Sequence, residues 1–181
     1  MALGATVYHL EIALSDTDRG VYESLDLRLA RHPSETMRYL VARTLAYALL
    51  YEEGISFSKG LSTNNEPAVW SHEPDGRLRI WVEVGNPSAE RLHRASKGCG
   101  RVVVFTYDEP DRLRQSVAGE RIHHAAQIEL VGAPSEFLDA VGEATGRHTA
   151  WELVHTGGQL YITVEGRTFE AALTREPLAE E

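Results

Sequence analysis

The sequence predicts an α/β domain in which a mixed central sheet is flanked by helices and preceded by an N-terminal β-hairpin. Three features carry this prediction: two alternating segments near the N terminus, a long amphipathic segment after them, and an alternating segment linked by a short helical stretch to an apolar run. The chain has 181 residues, of which 43% are hydrophobic and 25% charged, as is typical of globular proteins with one core. We expect a single domain over residues 1–174 and an acidic, frayed tail at residues 175–181.

The N-terminal hairpin is predicted from hydrophobic alternation with a period of two residues. Residues 6–14 place apolar side chains at every second position, at Tyr8, Leu10, Ile12 and Leu14. The polar residues 15–20 form a turn, and a second alternation follows it at Leu25, Leu27 and Leu29. We expect two antiparallel strands with one buried face.

The first helix is predicted after the motif His32-Pro33-Ser34-Glu35, which supplies a capping residue. Apolar positions at helical spacing follow it, at Met37, Leu40, Val41, Thr44, Leu45 and Ala48. We expect this helix to run to about residue 53 and to stop at Gly54. Residues 55–74 have no regular pattern.

A strand, a crossover helix and a parallel strand are predicted over residues 77–106. In the first strand, Glu83 lies on the face opposite the aliphatic row, which is formed by Leu78, Ile80, Val82 and Val84. A helix over residues 88–97 leads to the apolar run 101–106, which is typical of a buried parallel strand. We expect one core to contain Leu40, Leu45, Leu78, Ile80, Val82, Val103 and Phe105.

The remainder of the chain is predicted to alternate between helices and strands. Helices are expected at residues 111–117 and 135–144, with a strand at 127–131 between them. Two final strands are expected at residues 151–155 and 159–164, joined by Thr156-Gly157-Gly158.

Charge and composition limit the classes of function. The formal net charge of −9 argues against broad electrostatic attraction to nucleic acid, so such contact needs a local basic patch or bound cations. No window is apolar enough for a membrane span, and residues 1–8 lack a basic segment followed by an apolar one, so we expect a cytoplasmic protein. Cys99, the only cysteine, cannot form an internal disulfide.

Three glutamates are the candidate metal ligands, namely Glu35, Glu66 and Glu83. Hard cations such as Mg²⁺ take oxygen ligands, and a metal held by carboxylates can activate water and neutralise phosphate charge. Each glutamate also has a structural explanation: Glu35 suits a first helical turn, Glu66 suits a solvated loop, and Glu83 can form a buried ion pair. Glu83 is the hardest to dismiss, because it lies near the carboxyl end of a buried strand, where open α/β sheets bind ligands.

Basic groups follow Glu83 on the predicted helix. Arg91 and Arg94 are three residues apart and share a face, and Lys97 continues the row. A solvated helix face explains the same residues, and the sequence leaves the choice open.

Short motifs in a fixed order then suggest a family. They are His32-Pro-Ser-Glu35, Gly60-Leu-Ser62, Glu66-Pro67 with Trp70, and Trp81-Val-Glu-Val-Gly-Asn-Pro87. The chain closely resembles the YaeQ family over essentially its whole length. The resemblance implies a variant of the PD-(D/E)XK, restriction-endonuclease-like fold, in which acidic residues meet at a metal-binding cleft. It brings no settled activity.

The resemblance also implies roles for individual residues. Glu35 is the acid of the first helix, whereas Glu66 and Glu83 are the two acids that hold Mg²⁺ or Mn²⁺. The usual nuclease pattern has lysine two residues after the second acid, where this chain has Gly85, so Arg94 or Lys97 must supply the positive charge. Asn65 also stands where the family favours an acid.

Two functions remain open from the sequence. The first is a metal-dependent phosphodiesterase acting on nucleic acid, with Glu35, Arg94 and Lys97 assisting Glu66 and Glu83. The second is a catalytically degenerate nuclease fold that serves as a binding module for a protein or another partner, which Gly85, Asn65 and the acidic charge favour. The sequence does not indicate an oligomeric state.

Overall fold

The computed structural model describes residues 4–59, 65–107 and 110–180. In this part of the chain the helices are α1 (Met37–Leu49), α2 (Ala89–Gly98), α3 (Pro110–Ser116) and α4 (Ser135–Ala144). The strands are β1 (Thr6–Asp16), β2 (Val21–Arg31), β3 (Ser56–Phe57), β4 (Val69–His72), β5 (Leu78–Val84), β6 (Val102–Thr106), β7 (Glu129–Gly132), β8 (His148–Thr156), β9 (Gln159–Val164), β10 (Arg167–Ala172) and β11 (Thr174–Pro177). They form two mixed sheets that helices flank.

The five-stranded sheet has the order β10-β9-β8-β1-β2. Its β1–β2 hairpin is antiparallel and pairs Leu10 with Leu27 and Ile12 with Leu25, which confirms the predicted N-terminal hairpin. Strand β8 returns from the far end of the chain and lies parallel to β1. One central mixed sheet was expected besides the hairpin, whereas the structure has two mixed sheets, because β8, β9 and β10 complete a second sheet around the hairpin.

The six-stranded sheet has the order β11-β7-β6-β5-β4-β3. Strands β5, β6 and β7 are parallel, whereas β3, β4 and β11 pair in antiparallel fashion. Helix α2 connects β5 to β6 and begins at the N-cap Ser88, whose hydroxyl accepts from the Arg91 N–H. The predicted strand, crossover helix and parallel strand are therefore confirmed.

Two apolar clusters cover the two faces of the six-stranded sheet. The larger cluster combines α1, α4, the inner face of the five-stranded sheet and one face of the six-stranded sheet, including Ile80 and Val82. The smaller cluster lies on the opposite face with α2 and α3, and includes Trp81 and Val104. The predicted core residues belong to the larger cluster except Leu78, which is half-buried against the smaller one.

Helix α1 differs from its prediction at both ends. It begins at Met37 because Thr36 is its N-cap and accepts from the Tyr39 N–H, whereas the Ser34 hydroxyl bonds the ring of His32. It ends at Leu49 instead of about residue 53, because the Arg19 guanidinium binds the carbonyl oxygens of Leu49 and Tyr51.

The C-terminal segment also differs from the sequence prediction. Strands β10 and β11 follow the two strands that were expected to be the last. Residues 175–181 were expected to fray, but β11 pairs with β7 and Leu178 is buried. Residue 181 lies outside the described residues. No described helix has the length and apolar character that crossing a membrane requires.

Candidate functional site

Glu83 is a buried carboxylate near the carboxyl end of the central strand β5. Its Oε1 accepts from Trp81 Nε1 at 2.8 Å and from Arg91 Nε at 2.5 Å. Trp81 lies two residues earlier on the same face of the strand, and Arg91 lies in the first turn of α2. A strand and the helix that follows it therefore fix the orientation of this carboxylate.

The second oxygen of Glu83 has a different environment. Both described hydrogen bonds of the Glu83 side chain end on Oε1, so within the described residues Oε2 receives no hydrogen-bond donor. An oxygen atom of this kind is the ligand that Mg²⁺ and Mn²⁺ take, and donors that hold the other oxygen orient the ligand. The chemistry of this carboxylate fits a divalent cation.

Arg91 also contacts the main chain of Glu66, which places that part of Glu66 near the Glu83 carboxylate. Arg91 Nη2 donates to the Glu66 carbonyl oxygen at 2.5 Å while Nε bonds Glu83. The Glu66 carboxylate accepts from the Lys59 N–H at 3.1 Å. The candidate motif residues Gly60-Leu-Ser62 lie outside the described residues.

Glu35 occupies a different position from the one that the sequence predicts. It precedes the N-cap Thr36, so it does not lie in the first turn of α1, and its carboxylate is buried against Arg43 Nη2 at 3.3 Å. Burial raises the pKa of Glu35, and the Arg43 charge opposes that shift. Burial also raises the pKa of Tyr39, and the charges of Glu35 and Glu83 add to the effect while the Arg43 charge opposes it.

Gly85 explains why the motif lysine is missing. Its φ is +92°, a backbone conformation that side chains with a Cβ rarely adopt. A Cβ there would also meet the Tyr107 hydroxyl at 3.4 Å. Tyr107 in turn carries the Arg38 guanidinium 5.8 Å from its ring centroid, so this tyrosine lies between Gly85 and an arginine.

The other two predicted basic residues lie in different places. Arg94 lines a cavity of about 210 Å³ together with Asn65, Trp81 and Arg91, which places it beside the Glu83 cluster. Its guanidinium pairs with the exposed Glu90 at 2.7 Å. Lys97 lines a separate groove of about 790 Å³ with Arg77, Arg79, His123 and His124.

The structure thus brings Glu83, the main chain of Glu66 and Arg94 to one region, whereas Glu35 pairs with Arg43 of α1. The three glutamates do not offer oxygens that all lie within 4.8 Å of one another; in the described part of the chain, His9, Glu11 and His148 form such a group. Sequence reasoning did not single out Trp81 or Lys59 and gave Arg91 no role. The position of Arg91 three residues after a capping Ser88 was a usable signal, because the first turns of a crossover helix lie near the carboxyl end of its preceding strand.

Comparisons with known proteins agree with the resemblance. The family model described as "YaeQ protein" matches residues 1–173. The crystal structure of YaeQ protein from Pseudomonas syringae is 31% identical, with a TM-score of 0.84 and coverage of 98% of this chain and 97% of that one. The YaeQ structure from Xanthomonas axonopodis pv. citri is 26% identical, with a TM-score of 0.87 and coverage of 94% and 97%.

Curated relatives carry no functional name. The protein called "Uncharacterized protein YaeQ" in Escherichia coli strain K12 is 35% identical over 108 residues, and so is its counterpart in Shigella flexneri. The match covers 60% of this chain and 60% of the length of each relative.

Proposed function

This chain belongs to the YaeQ family, and from that premise we propose that it is a PD-(D/E)XK-like, metal-dependent phosphodiesterase that acts on nucleic acid at the Glu83 cluster. Glu83 and Glu66 hold Mg²⁺ or Mn²⁺ in this proposal. When bound, the cation supplies charge neutralisation at the phosphate and lowers the pKa of a water molecule. The remaining contributions come from side chains of this chain.

The observation that carries the proposal is the environment of the Glu83 carboxylate. It is buried at the end of a parallel strand, one oxygen is held by Trp81 and Arg91, and Oε2 receives no donor from the described residues. A carboxylate that is oriented through one oxygen leaves its other oxygen available as a metal ligand. A cation at Oε2 satisfies this ligand and balances its charge.

Arginines supply the phosphate contacts in this proposal. Arg91 and Arg94 line one cavity beside Glu83, and Arg38 lies near Gly85 through Tyr107. A guanidinium binds phosphate oxygens through its planar set of donors but stays protonated, so it stabilises charge and does not serve as a base. Trp81 lines the same cavity but is buried, and the Arg91 guanidinium lies 6.0 Å from its ring centroid, so Trp81 helps to position this arginine.

The second candidate function is a binding module that retains the scaffold without cleavage. The conformation of Gly85 favours it, because the backbone at +92° does not accept the lysine of active nuclease motifs without strain. The same cavity and arginines then bind a phosphate-bearing partner and release it unchanged.

The test replaces Glu83 with Gln, which keeps the acceptor for Trp81 and Arg91 and removes the charge. We expect calorimetry to detect Mn²⁺ binding by the wild type and an affinity about tenfold lower or weaker still in Glu83→Gln. We also expect labelled single-stranded DNA or RNA to be cleaved by the wild type with Mn²⁺ and not by the variant. The exposed Glu23→Gln is the matched control and should retain both properties.

The outcomes separate the two functions. Equal Mn²⁺ affinity in wild type and Glu83→Gln contradicts the metal site. Mn²⁺ binding that depends on Glu83 without cleavage of either nucleic acid supports the binding module instead.

A further inference from the structure

The outer face of the five-stranded sheet carries a group of metal-ligating side chains far from Glu83 in the fold. His9 and Glu11 are two residues apart on β1, so they project from the same face. His148 on β8 is the direct parallel partner of His9, and Asp26 on β2 is the antiparallel partner of Glu11. Strand pairing therefore collects two imidazoles and two carboxylates on three neighbouring strands.

The side chains of this group converge. One ligand atom each from His9, Glu11 and His148 lies within 4.8 Å of the other two. His148 Nε2 lies 3.4 Å from Glu11 Oε2, and the two imidazole centroids are 4.4 Å apart. His9 Nε2 lies 2.5 Å from Asp26 Oδ1. At these distances a single metal ion can contact one ligand atom from each of the three side chains.

We propose that His9, Glu11 and His148 bind one divalent transition-metal ion of the zinc class, and that Asp26 orients the His9 ring. Two histidines and one carboxylate form a ligand set that zinc accepts, with a fourth position left for water or another ligand. Mg²⁺ and Ca²⁺ prefer oxygen ligands, so the two imidazoles select against them.

Charge and rigidity support the assignment. Two neutral imidazoles and two carboxylates carry a charge of about −2, which a divalent cation balances. The ligands project from paired strands, so little conformational freedom is lost when an ion binds.

A groove beside the group gives an exchangeable ligand room. Its volume is about 530 Å³, and Glu11 and Asp26 line it together with Ala150 and Glu152. The outer face of this sheet lies away from α1 and α4, whereas the Glu83 cluster belongs to the six-stranded sheet beyond those helices. The inferred site is therefore independent of the proposed phosphodiesterase site.

The experiment titrates the full chain, freed of metal by chelator, with Zn²⁺ in a calorimeter. We expect one equivalent to bind and the affinity to fall about tenfold or more in both His148→Gln and Glu11→Gln, because each variant removes a ligand. Both side chains are largely exposed, so the variants should fold normally. Co²⁺ serves as a second probe, and its visible absorption should appear in the wild type and weaken in the same two variants.

The control lies in another histidine group. His93, His123 and His124 are near one another, with 3.9 Å between the ring centroids of His123 and His124. His124→Gln should leave the Zn²⁺ affinity unchanged. Unchanged affinity in His148→Gln and Glu11→Gln overturns the inference, as does the loss of Zn²⁺ binding in His124→Gln.

Discussion

At the scale of single residues, the ion pair of Glu35 and Arg43 is more deeply buried than any other part of the candidate site. Their side chains are 2% and 5% exposed, and Arg43 Nη2 also donates to the Ala30 carbonyl oxygen at 3.1 Å. The pair therefore ties the segment before α1 to the end of β2. Removing one partner of such a buried pair lowers the stability of the protein by more than the intact pair contributes to it, because the remaining charge is left buried without compensation.

Arg43→Met tests this role. At neutral pH the variant should lose about 3–5 kcal/mol of unfolding free energy, because Glu35 stays buried without its cation. Burial already raises the pKa of Glu35 in the folded protein, and removing Arg43 removes the main opposing charge and raises that pKa further. A carboxyl with a raised folded pKa binds its proton more readily when folded, so the loss should be smaller in acid and grow as pH rises through the folded pKa.

Urea unfolding at about pH 5 and at neutral pH measures the effect, since these values lie near and well above the ordinary carboxyl range. Arg28→Met is the control, because Arg28 is exposed on the outer face of β2. A loss in Arg43→Met that is identical at both pH values would show that Glu35 does not take up a proton.

At the scale of elements, β11 shows how a polar segment can belong to the sheet. Residues 174–177 pair with β7 at the edge of the six-stranded sheet, where Pro177 is tolerated. Arg114 on α3 holds this strand through the Glu176 carboxylate and the carbonyl oxygens of Pro177 and Leu178. Leu178 then enters the smaller apolar cluster with 3% exposure.

Leu178→Ala tests whether this anchor contributes to folding. The variant should lose about 2–5 kcal/mol of unfolding free energy, because it removes a buried side chain and leaves a cavity. Chemical denaturation followed by tryptophan fluorescence measures the difference. Val7→Ala is a matched apolar truncation at a position that is 49% exposed, and it should change stability by less than about 0.5 kcal/mol. Equal midpoints for Leu178→Ala and the wild type would contradict an anchoring role.

At the scale of the whole molecule, the net charge of −9 determines how nucleic acid can be bound. Long-range attraction is unfavourable, so the proposed binding depends on local arginines and on the cation proposed for the Glu83 cluster. Arg91 and Arg94 line the cavity beside that cluster, and Arg38, which lies over the Tyr107 ring, is the third arginine of the proposal. With so few arginines, the protein is expected to contact only about three phosphates of a bound nucleic acid.

Salt dependence measures that number. With single-stranded DNA and Mn²⁺, the logarithm of the association constant should fall with the logarithm of salt concentration with a slope of about 2, since each contact contributes roughly 0.7. Fluorescence anisotropy over a series of KCl concentrations gives the slope, and chelation of Mn²⁺ should weaken binding. A slope near 5 or steeper would indicate a larger basic surface than the Glu83 cluster provides.

Local patterns in the sequence predicted the β1–β2 hairpin, the β5–α2–β6 unit and the boundaries of α4. In these elements apolar residues recur with a period of two or of 3.6 residues. Such a period arises because one face of a strand or helix packs in the core while the other faces water. The same reasoning selected Glu83, because an acid beside the aliphatic row Ile80 and Val82 near a strand end is unusual within one short segment.

Only the tertiary structure decided which segments meet. Strand β8 pairs with β1 although most of the chain separates them in the sequence. The contact between Asp16 and the ring of His155, for example, joins residues that are 139 positions apart. That pairing creates the second sheet and brings His148 to His9, and no local pattern encodes it. Likewise, the packing of α2 against β5 decided that Arg91 bonds the Glu83 carboxylate, although the position of Arg91 just after the capping Ser88 was a usable signal in the sequence. Periodicity depends on contacts within a segment, whereas sheet order and site composition depend on the free energy of contacts between distant segments.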